Sequence, residues 1–349
     1  MAQYIDSFPG REITIAGKKH LYFGGTAYMG LQTDDGFKEL FVKNIRKYGT
    51  NYGASRKSNI RMSIFGKAEQ HLAGLVGAEA CATLSSGYLA AQFTAQALNI
   101  KTHRFFYAPN THPALYPAPT KSYTTFTALN IAVREHLSSQ PNKTPVIFLD
   151  SIDFSGCNFP DFIPLQILPL DKLILVVDDS HGIGIVGEDG GGVYRMLSEL
   201  PIKELLVCAS LGKGFGIQAG GVFGSTERIS YMTETPFFGG ASPPAPAALA
   251  TLLEAETIFS EKREKLQSNI ALFLDALANP QKLSYMKHHP AFSFSDVQLM
   301  EYLEQSDIVL TSFPYPDEDS QLMSRIVLSA QHLEKDILRL AELLNEQRA

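Results

Sequence analysis

The stretch Leu173-Ile-Leu-Val-Val-Asp-Asp-Ser-His-Gly-Ile-Gly184 decides how the rest of the chain is read. Its apolar half has the length and branching of a strand buried on both faces, and it ends abruptly in Asp178, Asp179 and His181. Open α/β sheets bind ligands beyond the carboxyl ends of such strands. Taken alone, the motif leaves the chemistry open. Adjacent carboxylates can hold Mg²⁺, one carboxylate can hold a cationic ring nitrogen while His181 faces the same ligand, or the cluster can be a turn fixed by side-chain-to-backbone bonds. The run Gly182-Ile-Gly-Ile-Val-Gly187 formally fits the dinucleotide fingerprint. Two aspartates before it and Glu188-Asp189 after it would confront a phosphate with negative charge, which argues against that reading.

Working outward, short apolar runs at Ala80–Leu84, Arg104–Tyr107, Val146–Asp150, Leu205–Ala209 and Gly220–Gly224 read as further buried strands. Helical spacing over Gly87–Leu98 and Thr127–Ser138 alternates with them, the pattern of a parallel sheet covered by helices. Several runs end in small or polar clusters: Ser-Ser-Gly at 85–87, Asp-Ser at 150–151 and Ala-Ser at 209–210. These should converge on one site with Asp178. From Pro243 the texture changes to one long helix over Pro243–Leu277, strands at Leu283–Lys287, Ile308–Phe313 and Ser324–Ser329, and a closing helix over Leu333–Gln347, a second α+β domain.

Lys213 follows the Leu205–Ala209 run in a glycine-rich loop, Ser210-Leu-Gly-Lys-Gly-Phe-Gly216. The P-loop pattern fails there, because position 207 is Val and position 214 is Gly. A lysine at the mouth of an apolar site suits Schiff-base chemistry, since desolvation lowers its pKa; a solvated loop lysine is the plain alternative. Ser86 and Gly87 open a helix whose first turn can receive a phosphate, or merely an ordinary serine cap. His112, before Pro113 in a loop, is either structural or placed to stack on a flat ligand.

The 349 residues suit two domains, and 45% hydrophobic content excludes disorder as the general state. A net charge of −6 argues against a nucleic-acid partner. Cys81, Cys157 and Cys208 are too scattered for a disulfide framework or zinc site, so no metal is expected and the compartment reads as reducing, hence cytoplasmic. No apolar run is long enough to span a bilayer, and the first residues lack the pattern of a secretion signal.

Together these motifs, in order from about Tyr22 to the C-terminus, resemble the α-oxoamine synthase family of fold type I pyridoxal-phosphate enzymes. Asp178-Asp-Ser-His181 resembles the family's Asp-Glu-Ala-His, which implies that Asp178 pairs with the pyridine nitrogen and His181 contacts the phenolic oxygen. Ser210-Leu-Gly-Lys213 resembles its Thr/Ser-x-x-Lys, which implies Lys213 as the Schiff-base lysine and Ser210 as a phosphate ligand. Ser86-Gly87-Tyr88 is similar to the phosphate-receiving helix start, and His112-Pro-Ala to the His-Ala-Ser whose imidazole stacks on the ring. Arg325-Ile-Val-Leu-Ser-Ala-Gln-His332 resembles the segment whose arginine binds the amino-acid carboxylate. Thr26 stands where the family has a substrate-contacting Asn, and Gly240 where it has a Thr that reaches the neighbouring subunit's phosphate, with Ser242 close by.

The resemblance implies a large domain at 36–240 with a mostly parallel seven-stranded sheet. A small domain at 241–349 would be joined by an N-terminal arm at 1–35. It implies pyridoxal 5'-phosphate as cofactor and a homodimer with active sites at its interface. The implied reaction is decarboxylative condensation of a small amino acid with an acyl-CoA or other acyl thioester, in which Lys213, His112 and Asp178 are catalytic. An aminotransferase, lyase or racemase on the same scaffold, and a catalytically idle binding protein, remain open alternatives at this point.

Overall fold

The structure, a computed structural model, describes residues 4–118, 120–314 and 322–347. Its strands in chain order are β1 (Glu12–Ile15), β2 (Lys18–Phe23), β3 (Ala80–Leu84), β4 (His103–Tyr107), β5 (Thr144–Asp150), β6 (Ile174–Asp178), β7 (Glu204–Ser210), β8 (Gly220–Gly224), β9 (Ser284–Tyr285), β10 (Ala291–Phe294), β11 (Ile308–Pro314) and β12 (Leu322–Val327). The helices are α1 (Asp35–Tyr48), α2 (Ser63–Val76), α3 (Gly87–Leu98), α4 (Phe126–Ser139), α5 (Tyr194–Ser198), α6 (Leu211–Gly214), α7 (Thr226–Thr233), α8 (Pro236–Gly240), α9 (Pro246–Glu254), α10 (Glu256–Ala276), α11 (Val297–Gln305) and α12 (Glu334–Glu346). The chain divides into a larger unit, Glu39–Asp153 with Cys157–Glu256, and a smaller one, Met1–Lys38 with Phe154–Gly156 and Thr257–Ala349.

The larger unit is built on a sheet of order β3-β8-β7-β6-β5-β4. Strands β4 to β7 are parallel, and β8 runs antiparallel to both β7 and β3. Alternation along each strand sends Val146, Phe148, Ile174, Val176, Leu206 and Cys208 into one core. The intervening Ile147, Leu149, Leu175, Val177 and Val207 are buried too. Burial on both faces is why these strands read as unbroken apolar runs, and each such side chain contributes about 1.5–3 kcal/mol. Helix α3 packs on β7 and β8, and α2 packs on β3 and α9. Ser86 caps α3, its hydroxyl oxygen accepting the amide of Leu89 at 3.1 Å.

The smaller unit carries a second sheet, β1-β2-β11-β12-β10-β9. The N-terminal hairpin β1–β2 joins it through parallel pairing of β2 with β11, and the remaining neighbours are antiparallel. His332 stacks on Phe23 with ring centroids 4.0 Å apart, and its Nε2 lies 2.9 Å from the carbonyl oxygen of Tyr22. Its Nδ1 accepts the amide of Ser329, so the ring is neutral and Nε2 donates.

Two expectations are adjusted, and one strand is new. The large sheet has six strands among the described residues, each at a position the apolar runs mark, where the resemblance implied seven. The expected helix Pro243–Leu277 is two, α9 and α10, broken at Ala255. Helix α9 packs on α2, and the larger unit runs to Glu256. The alternating strand β10 follows Pro290 and had no counterpart in the sequence reading.

Candidate active site

Three parallel strands of the larger unit end side by side. Asp150 closes β5 and Asp178 closes β6, and the two are register partners; Cys208 of β7 is the next partner of Asp178. The chain beyond each strand end is tied to its neighbour. The amide of Ser210 donates to Ser180 Oγ at 2.8 Å, and the amide of Asp179 donates to the carbonyl of Cys208 at 2.8 Å. The Asp-Asp-Ser-His and Ser-x-x-Lys segments are thereby fixed to each other by one backbone and one backbone-to-side-chain hydrogen bond.

On that frame Lys213, in the single turn α6, brings Nζ to 2.7 Å from His181 Nε2. Asp178 is 7% exposed, with Oδ1 accepting the amide of Ser180 at 2.9 Å. Burial lowers the pKa of His112, opposed by the negative charge of Asp178 and assisted by the positive charge of Lys213, so both charges reach the imidazole. His112 Nδ1 accepts the amide of Ala114, and its own amide donates to Asp150 Oδ2 at 2.6 Å. Burial, and then the charge of Asp178, push the Asp150 carboxyl well above the usual range.

Asp179 has a different task from Asp178. It is 1% exposed and accepts Ser151 Oγ at 2.5 Å and the amide of Val193 at 3.1 Å, while burial pushes its pKa up to about 7. It therefore anchors the glycine-rich loop that follows. In that loop Gly184 has a positive φ of 84°, and a Cβ there would stand 2.8 Å from the Cα of Gly214. Of the glycines that imitate a dinucleotide fingerprint, Gly184 lets this loop press against the Lys213 turn, while Gly182 makes room for the Asp179 carboxylate and Gly187 for the backbone of Gly192.

The N-terminus of α3 adjoins the same strand ends. A Cβ on Gly87 would lie 2.5 Å from Ser210 Cβ and 2.9 Å from Ser210 N, so only glycine permits this approach. The side chain of Ser86 caps the helix, the hydroxyl of Ser210 accepts the amide of Gly212 at 3.3 Å, and Tyr88 is 64% exposed. The amide of Ser85 donates to the carbonyl of Ser242 at 3.1 Å, placing the Ser242 segment beside the helix start within the same chain.

Arg325 and Thr26 lie in the smaller unit, Arg325 on β12 opposite Ser293 and Thr311, and Thr26 in the turn after β2. Sequence reasoning singled out neither Ser180 nor the His112 link of Asp150. Their signal was the recurrence of Asp-Ser pairs at strand ends, at 150–151 and 179–180.

No family model matches the sequence. The chain is 25% identical to the 8-amino-7-oxononanoate synthase of Hahella chejuensis over 362 residues, covering 99% of this chain and 91% of that one. Its fold superimposes with a TM-score of 0.82 on SPT with its PLP internal aldimine, at 18% identity and over 99% and 92% of the two chains. It does so with a TM-score of 0.70 on the 8-amino-7-oxononanoate synthase of Francisella tularensis, at 19% identity and over 94% and 97%. Over nearly its whole length the chain is thus similar in sequence to 8-amino-7-oxononanoate synthases, and it has the fold type I architecture of SPT and of that synthase, with Asp178, His181 and Lys213 at adjoining strand ends.

Proposed function

We propose that this chain binds pyridoxal 5'-phosphate in its larger unit and catalyses decarboxylative condensation of a small amino acid with an acyl thioester, acyl-CoA being the expected donor. The observation that carries the reading is the Lys213 amine, 2.7 Å from His181 and electrostatically coupled with Asp178 to His112. The residues fit the cofactor. The α3 N-terminus offers unsatisfied amides and a positive dipole end for a phosphate, and the glycine-lined approach to Ser210 brings a second polar backbone segment alongside. Asp178 is a buried carboxylate suited to a protonated ring nitrogen, and His112 is a flat group held by its backbone to Asp150.

Pyridoxal phosphate, when bound, supplies an aldehyde that condenses with amines and a protonated ring that withdraws electrons from the substrate α-carbon. Lys213 is assigned as the amine that would hold the cofactor and that, when free, would accept the proton of the substrate α-carbon. His181, within hydrogen-bond reach of Lys213, is assigned to the phenolic oxygen and orients that amine. Asp178 would hold the ring nitrogen of the cofactor and favour its protonated form. Ser86, Gly87, Tyr88 and Ser210 are assigned to the phosphate, and Arg325 and Thr26 to the amino acid. The reaction balances: the α-carbon gives up its proton and joins the acyl carbon as the C–S bond breaks, the departing thiolate takes a proton from solvent, and the bond to the carboxylate breaks to release CO₂ while the proton first removed returns to the α-carbon. The working form is proposed to be a cytoplasmic homodimer.

Absorbance of the purified protein with pyridoxal phosphate tests the cofactor assignment. A visible band that is lost in Lys213→Ala, together with thiol release that requires both amino acid and acyl-CoA, is the expected result. Conversion of a 2-oxo acid without thiol release would replace condensation by transamination. A cofactor band that no amino acid perturbs would establish the idle binding protein.

A further inference from the structure

The loop after β5 contributes three residues, Phe154–Gly156, to the smaller unit, although the residues on either side belong to the larger one. Phe154 adopts a left-handed backbone, φ 57°, which a bulky side chain rarely occupies without compensation. The compensation lies in what the ring touches. The Arg325 guanidinium carbon stands 3.7 Å from the Phe154 ring centroid. Fully buried His289 meets the same ring edge-on at 6.0 Å and meets Tyr28, also buried, at 5.4 Å. Arg325 and Tyr28 are electrostatic neighbours, so the arginine is set among aromatic groups.

We propose that Phe154 is a positioning residue for the amino-acid substrate: it holds the Arg325 guanidinium by its face and so turns the N–H edge toward the substrate carboxylate. This rests on the reading of Arg325 as the carboxylate-binding residue. A guanidinium stacks through its flat face while its five donors lie in its plane, so a ring on the face fixes the donor plane without consuming the fork. One of those donors, Nη2, lies 2.6 Å from the sulfur of Met323. A thioether is a weak acceptor, and a carboxylate readily displaces it. Leucine at 154 would keep bulk but remove the π face, whereas tyrosine would keep that face.

The test uses holoenzyme of the wild type, Phe154→Leu, Phe154→Tyr and Arg325→Gln. Affinities are read from the cofactor absorbance for glycine, alanine and serine, each against the amine lacking the carboxylate: methylamine, ethylamine and ethanolamine. Phe154→Leu is expected to lose about 10-fold of the preference for amino acid over amine. Its affinity for the amines stays within twofold of wild type, its KM for the amino acid rises more than its kcat falls, and Phe154→Tyr restores the preference. An undiminished preference in Phe154→Leu, with Arg325→Gln having lost it, overturns the positioning role and leaves Arg325 in place. An undiminished preference in Arg325→Gln overturns the carboxylate reading and this inference with it. An equal fall for amines and amino acids, or a preference that Phe154→Tyr does not restore, also overturns it, because packing alone then accounts for Phe154.

Discussion

Replacing Gly87 by alanine tests whether the α3 N-terminus and the Ser210 strand end act as one phosphate cradle. The added Cβ would meet Ser210 Cβ at 2.5 Å, its Cα at 2.7 Å and its N at 2.9 Å. Ordinary contact begins at 3.4 Å, so the helix start and the strand end must part by roughly 1 Å, and two of the three atoms are backbone that cannot rotate away. Overpacking of this kind costs about 1–3 kcal/mol in stability. Parting the two elements also lengthens hydrogen bonds to any phosphate held between them, and losing one charge-assisted bond is worth about 1.5–3 kcal/mol. Affinity for pyridoxal phosphate should therefore fall about 10- to 100-fold, measured by absorbance titration of protein verified as folded by circular dichroism. Gly66→Ala is the control, because it lies within α2 with no atom inside 4 Å of its added Cβ. It should leave the affinity unchanged and raise stability by about 0.5–1 kcal/mol. Folded Gly87→Ala protein with wild-type cofactor affinity would refute the cradle.

Asp178→Asn should retain the fold and bind cofactor while turnover drops about 10²- to 10⁴-fold, because the amide cannot keep a cationic ring protonated; near-normal turnover would remove Asp178 from the chemistry. Ser180→Ala leaves the Ser210 amide without its acceptor at 2.8 Å, and should cost about 1–3 kcal/mol in chemical denaturation together with weaker cofactor binding. His332 has its pKa lowered to about 4, first by burial, against an ordinary 6.5. Between these values the unfolded ring binds a proton that the folded ring refuses. Stability of the smaller unit is therefore full above about pH 6.5 and falls as the pH drops toward 4, by about 2 kcal/mol at pH 5. Nuclear magnetic resonance should find one histidine, absent from His332→Gln, that does not titrate near pH 6.5; a midpoint there would sink the assignment.

The central strands β5, β6 and β7 were legible because their middles are buried on both faces, which demands an apolar run, whereas edge strand β4 showed itself only through Phe105–Tyr107 after an exposed Arg104. Helix α3 was legible from its Ser86 cap and apolar spacing. The split of Pro243–Leu277 was not, since nothing in the local sequence at Ala255 breaks a helix; the packing of α9 on α2 does. Strand β10 escaped because four residues, Ala291-Phe-Ser-Phe294, show alternation too briefly to separate from a loop. In the candidate site, residue type and position at a strand end singled out Asp178, His181 and Lys213, of which Lys213 and His181 lie within hydrogen-bond distance. The different surroundings of Asp178 and Asp179 were hidden, because β6 ends at Asp178 and only the fold brings Ser151 and the Val193 amide to the next carboxylate.

The contrast between the two units has a physical origin. A parallel sheet gathers its ligand groups by a rule that depends only on strand direction, so a residue's place in the sequence gives its place in the site. The smaller sheet is mostly antiparallel, and its strands have no common carboxyl end at which functional groups could collect. Arg325 there takes its orientation from Phe154, 171 positions earlier in the chain and held in a backbone conformation that no local pattern announces. Substrate recognition on this scaffold can therefore change through single residues in the loop after β5 while the strand-end machinery stays as it is. Phe154 is where such a change would be sought first.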